Sequence, residues 1–109
     1  MANIFKNKVI ASIGPTGGGY TVPASTTTTV IGMTVSNRTT SNITVNVTVY
    51  DDSAAVTAYL VKDVIILPGS CLVPIGGDQK VVLEANDQLN VHSSTASSAD
   101  VVISMMETA

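Results

Sequence analysis

Between Ile43 and Tyr50 the chain alternates without a break: Ile43, Val45, Val47 and Val49 are apolar, and Thr44, Asn46, Thr48 and Tyr50 carry polar groups. Successive side chains on an extended strand point to opposite faces. Strict period two over this length therefore describes a strand with one buried and one wet face. A chain built around such a strand needs a second apolar layer to cover it. The composition shows where that layer comes from: 16 Val, 9 Ile and 14 Thr make 39 of the 109 residues β-branched. Such side chains lose rotamer freedom on a helix but pack well on a pleated sheet. Leu occurs five times and Glu twice, at Glu84 and Glu107, so the usual helix formers are scarce.

Other strands follow the same grammar. Phe5 to Ile13 ends at Gly14-Pro15-Thr16-Gly17-Gly18-Gly19, which reads as a loop, so residues 1–19 form an N-terminal arm or strand from Met1 plus a Gly-rich loop. Tyr20 to Pro23 is short, and its proline suggests an edge or a strand end. Thr26 to Ser36 precedes the polar turn Asn37 to Asn42. After Asp51-Asp52-Ser53, Val56 to Val61 and Val64 to Leu67 flank Lys62-Asp63, which is either a tight connection or a bulge. Pro68-Gly69-Ser70 is a turn; Cys71 to Ile75 is extended but holds Pro74, as an edge strand would. Lys80 to Glu84, Gln88 to Ser93 and Asp100 to Glu107 complete the set. Turns recur about every ten residues, the spacing of an all-β sandwich or barrel. The expectation is one domain over residues 1–109, a two-sheet antiparallel β-sandwich of seven to nine short strands, with jelly-roll or Ig-like connectivity.

Charge and motif content exclude several classes of function. Charged residues make up only 12% and the net charge is −3. Arg38 and four scattered lysines cannot make the basic stripe that phosphate neutralisation requires, so no direct contact with nucleic acid is expected. No apolar run approaches the length of a membrane-spanning helix or a signal-peptide core. Cys71 is alone, so it can form neither an intrachain disulfide nor a cysteine-based metal site, and on an apolar strand it reads as a small core residue.

His92 is the one histidine, and alternation with Leu89 and Val91 turns it outward with Gln88 and Asn90. A set of any serine with His92 and Asp100 lacks a nucleophile-elbow context, and Cys71 with His92 is no better, so no catalytic residue emerges. Gly17-Gly18-Gly19 is followed by a strand, not by the helix a phosphate loop needs. Asp51, Asp52, Asp63, Asp78 and Asp87 each suit a turn; a cation would require several to meet at one end of the sandwich. No cofactor or metal is expected. Asn37, Asn42 and Asn46 fit the glycosylation pattern but also suit Asn/Thr-rich strands.

One resemblance runs through most of the chain. It is carried by Leu67-Pro68-Gly69-Ser70, by Gly77-Asp78-Gln79-Lys80-Val81-Val82-Leu83-Glu84-Ala85-Asn86-Asp87-Gln88-Leu89-Asn90-Val91, and by Ser97-Ser98-Ala99-Asp100-Val101-Val102-Ile103-Ser104-Met105-Met106-Glu107. In the first half, Tyr20-Thr21-Val22-Pro23-Ala24-Ser25-Thr26 and Val30 to Asn37 add to it. These segments resemble small virion structural proteins of tailed bacteriophages, particularly those of cyanobacteria. Asn86 departs from the glycine usual in that pattern, although Asn tolerates a positive φ better than most residues.

The resemblance implies a non-enzymatic capsid decoration, or cement, protein. It would bind the major capsid protein or other virion proteins as a homo-oligomer, a trimer being favoured, and reside in the virion after assembly in the host cytoplasm. A tail, neck or fibre-base module is the alternative. A carbohydrate-binding module is the second alternative, with Tyr50 on the wet face as its anchor. The expected partner interface comprises Ile4, Phe5 and Val9, on an anchoring arm or added edge strand, and Tyr50.

Overall fold

The computed structural model describes residues 3–109, which contain nine strands and no helix. They are β1 (Asn3–Ile13), β2 (Gly18–Thr21), β3 (Thr27–Asn37), β4 (Ile43–Asp51), β5 (Val56–Ile66), β6 (Cys71–Ile75), β7 (Val81–Leu83), β8 (Gln88–Ser93) and β9 (Ala99–Thr108). Met1 and Ala2, the tip of the expected arm, lie outside the described residues.

The strands form two antiparallel sheets packed face to face, a β-sandwich. One runs β1-β9-β3-β6, with β7 also paired to β3; the other runs β2-β8-β4-β5. The pairs nest: β1 with β9, β2 with β8, β3 with β6 and β7, and β4 with β5. A long antiparallel ribbon folded at β4–β5 and rolled over on itself gives this order, and rolling also brings β9 beside β3 and β8 beside β4. That is jelly-roll connectivity, so the strand order decides between the two topologies the sequence left open.

Alternation fixes which side chains go inside. The core comprises Val30, Met33, Val35, Ile75, Leu83, Val101, Ile103 and Met105 from the five-stranded sheet, facing Ile43, Val45, Val47, Ile66, Leu89 and Val91. Ile13 and Val22 close it from the connections. With no aromatic among these core side chains, branched aliphatics and two methionines fill the space between the sheets.

Several local details sharpen or correct the sequence reading. β5 is one strand, and Lys62-Asp63 is a bulge within it: the register with β4 shifts there and Asp63 has φ 51°. Gly18 and Gly19 are not loop residues. They open β2 opposite Val91 and Asn90, because a Cβ on Gly19 would lie 2.1 Å from the Leu89 carbonyl oxygen and only glycine lets the strands approach so closely. Asn86 sits at φ 69°, the positive value its turn demands. Cys71 is exposed rather than in the core, because it opens edge strand β6 before that strand turns its apolar face inward at Ile75.

The N-terminal segment is a strand and not a free arm. β1 is hydrogen-bonded to β9 from Asn3↔Thr108 to Ile13↔Ala99. It runs well past the four-residue β2, which leaves its inner side uncovered from Ile4 to Lys8.

Candidate functional site

The two outer faces of the sandwich differ in chemistry. On the four-stranded sheet the outward residues of β4 and β8 include Thr44, Asn46, Tyr50, Gln88, Asn90 and His92, a polar surface bordered on β5 by the exposed Tyr59 and Ile65. On the five-stranded sheet, register places Phe5, Met106, Thr29 and Val82 in one row across β1, β9, β3 and β7. Val9, Val102 and Thr34 make a second row, and the exposed Val73 lies beyond it on β6. Between them lie Asn7, Ser104 and a bulge at Ile31-Gly32, where β3 shifts register against β9. Phe5 is 73% exposed and Val82 62%. Beside Phe5 lies an open depression of about 310 Å³ lined by Phe5, Lys6, Asn7, Ile31, Ser104 and Met105.

No charged side chain lies in the rows from Asn3 to Val9 on this face among the described residues. The charges of β1 are on its other side: Lys6 and Lys8 are opposite the inward Met105 and Ile103. At the far end of the face, Asp100 is tied locally, accepting from the Ser12 N–H at 3.0 Å and pairing with Arg38 at 3.4 Å. Exposed apolar side chains grouped on one face in this way make it the candidate interaction surface.

Three of the edge strands carry features that oppose strand addition. Lysines directed inward, a mid-strand bulge and proline are the usual devices that blunt an edge. Here Lys6 and Lys8 occupy β1, the Lys62-Asp63 bulge interrupts β5, and Pro74 sits in β6. Association through a face is thus favoured over association through an edge.

The four residues expected at an interface are not brought together. Phe5 and Val9 share the apolar face, Ile4 points to the opposite side of β1 towards Glu107, and Tyr50 lies on the far side of the sandwich. Residues that share the face with Phe5, namely Ile31, Val73, Val82, Val102 and Met106, escaped the sequence reading. Alternation on β9 carries a signal for two of them, since burying Val101, Ile103 and Met105 turns Val102 and Met106 outward.

A polar cluster joins the two sheets at the open corner under β1. Glu107 Oε2 accepts from the Tyr20 hydroxyl and from Thr28 Oγ1 (3.0 Å), while Oε1 accepts from Lys6 Nζ (3.3 Å). Lys6 also lies 5.5 Å from the Tyr20 ring centre. Burial disfavours the Glu107 carboxylate, but the hydrogen bonds from Tyr20, Thr28 and Lys6 outweigh it and hold its pKa below the usual value. Burial, and then the carboxylate beside it, push the Tyr20 hydroxyl upward. The hydrogen bond to Glu107 raises Lys6. Each member thus keeps its resting protonation state across neutral pH, which suits a strut. Tyr20 points inward and so cannot join Tyr50 and Tyr59 on an outer aromatic platform.

The acidic turns meet only in part. The carboxylates of Asp51, Glu84 and Asp87 lie within 4.8 Å of one another, whereas Asp63 and Asp78 lie apart in the β5 bulge and the β6–β7 turn. Glu84 is the member not anticipated. Asp87 is buried, and both its oxygens accept backbone N–H groups, from Asp52 and Glu84 at 2.9 Å each, so it clamps two turns. Asp51 is held below its usual pKa by the Ser53 hydroxyl and the Ala54 N–H. His92 is outward, as alternation requires, but half-buried because Gly17 packs against its ring. Asp100 and Cys71 belong to the other sheet, so the sandwich separates them from His92.

No protein-family model matches the chain, and no curated protein sequence matches it.

Proposed function

We propose that this protein is a non-enzymatic structural component of a virion, a capsid decoration protein that reinforces the particle by binding its assembled form. The observation that carries a role in assembly is the uncharged apolar face of the five-stranded sheet, from Phe5 and Val9 to Val73 and Val82. A domain with 12% charged residues that keeps such a face in water is prone to associate. The polar groups with perturbed titration also serve the fold, since Glu107, Tyr20 and Lys6 join the sheets.

The virion setting rests on the likeness of the strand-and-turn segments to small phage structural proteins. The mechanism is passive: a protein that binds only the assembled lattice stabilises it by mass action. Reinforcement of a whole shell requires many copies, whereas a tail or neck module needs only a ring. Quantitative mass spectrometry of purified particles tests the reading. Copies numbering in the hundreds and removed together with the capsid shell support it; a handful of copies that fractionate with tails would replace it by the tail or neck module.

A further inference from the structure

We propose that the outer face of the five-stranded sheet is an isologous interface, on which two copies of this chain pair about a two-fold axis near Asn7 and Ser104. This rests on the assembly reading above and names the occupant of its apolar face. Three properties of the face point to a second copy.

The first is charge. The chain carries a net charge of −3, so two copies repel unless the contact keeps charges out of it. This face does so: its rows hold Asn3, Thr108 and Thr27, then Phe5, Met106, Thr29 and Val82, then Asn7, Ser104 and Gly32, then Val9, Val102 and Thr34. A partner with a basic or acidic docking surface would find no charged side chain in these rows, and Lys6, which also borders the depression, is already paired with Glu107, whereas an identical neutral face is matched.

The second is shape. Phe5 is the most exposed large apolar side chain among the described residues, and the depression lined by Lys6, Asn7, Ile31 and Ser104 lies beside it. In a two-fold contact, residue i of one copy meets residue j of the other and the reverse. A knob adjacent to a hollow is therefore self-complementary: rotation about an axis between them seats each Phe5 in the partner's depression. An edge-to-face approach there would add a contribution from aromatic packing.

The third is area. The whole face, 11 residues long at β1 and four strands wide, presents about 700 Å² in projection, about 450 Å² of it in the charge-free rows from Asn3 to Val9, at about 3.4 Å per residue and 4.8 Å per strand. Side-chain relief brings this near the roughly 800 Å² per partner of a stable specific interface. A cyclic trimer needs two different complementary patches on each copy. Phe5 and the hollow beside it lie together on one face, so a single two-fold contact uses both.

Sedimentation equilibrium of the full chain is the primary test. A mass twice the 11.2 kDa of the chain is expected at micromolar concentration, falling to that of a monomer in Val102→Lys and in Phe5→Glu. Far-UV circular dichroism matching the parent's checks that both variants are folded. In a Cys71→Ser background, Ser104→Cys should form a disulfide-linked dimer on mild oxidation, while Asn90→Cys on the opposite sheet should not. A monomer or a trimer of the parent chain overturns the proposal, as does a dimer that survives both charge substitutions or that links through Asn90→Cys. A monomer that still occupies virions in high copy number would sink the dimer and leave the structural role intact. A dimer absent from particles does the reverse.

Discussion

Replacing Tyr20 by Phe removes one hydroxyl and leaves its ring in place, which isolates the bond between the two sheets at their open corner. That hydroxyl donates to Glu107, whose side chain is 13% exposed, so little water can take the donor's place. A hydrogen bond to a charged group contributes about 1.5–3 kcal/mol, and Thr28 and Lys6 remain to satisfy part of the carboxylate, so we expect a loss of about 2 kcal/mol at pH 7. Lys6 is 39% exposed, and its ion pair with Glu107 should contribute less than about 1 kcal/mol. Urea unfolding of the parent, Tyr20→Phe, Glu107→Gln and the double variant measures the coupling directly.

The same cluster sets two limits on a pH profile. Glu107 has a lowered pKa in the folded chain, so its contribution is complete above the ordinary value near 4.5 and is lost as pH falls through the folded value. Tyr20 is raised above 10.0, so its contribution is complete below that and is lost as pH rises through the folded value. Tyr20→Phe should therefore narrow its gap to the parent at both extremes. A loss under about 0.5 kcal/mol at pH 7, or effects that simply add in the double variant, would refute a strut between the sheets.

Three other substitutions probe the local geometry. Asn86→Ala should cost about 1 kcal/mol because φ is 69° there, while Asn86→Gly should match or exceed the parent; equal unfolding midpoints for the two variants would contradict this. Gly19→Ala should cost about 2 kcal/mol or more, since its Cβ meets backbone and not a movable side chain, and hydrogen exchange should report loosening of β2 first. Asn37 is buried, donating to the carbonyls of Ser41 (2.7 Å) and Ile66 (2.9 Å) and accepting from the Thr39 N–H (2.8 Å) and hydroxyl (2.7 Å). Asn37→Ala should lower stability by about 3 kcal/mol in urea unfolding, and a change near zero would show that water replaces these bonds.

Where a signal is local, the sequence carries it. Ile43 to Tyr50 is a strand because alternation is a property of neighbouring residues, and the turn at Asn86 follows from what Asn tolerates at positive φ. Pro74 marks an edge because a missing N–H cannot serve a central ladder. What was not legible depends on distant residues. Gly19 becomes strand because of the Leu89 carbonyl, and Tyr20 turns inward to meet Glu107, 87 positions away. Cys71 lies on an apolar stretch, yet its exposure follows from where β6 joins β3. Some of the site was nearer to hand: period two on β9 puts Glu107 on the same side as Met105, and a carboxylate on a dry face requires a partner. The exposed apolar face was not, because its members come from five strands and adjoin only once the register is set.

The nested pairing also orders the folding of the chain in time. The β4–β5 hairpin closes a short loop, whereas β1 and β9 close one that spans nearly the whole sequence, from Asn3 to Thr108. Loop-closure entropy and high contact order are expected to place such pairings late and to slow folding, which stopped-flow refolding would measure. Phe5 and Val9 then join Val102 and Met106 only when β1 zips onto β9. The face proposed as the dimer interface therefore reaches its full extent only when β1 pairs with β9, and a chain with β1 unpaired presents Val82, Val102 and Met106 without their Phe5 and Val9 neighbours.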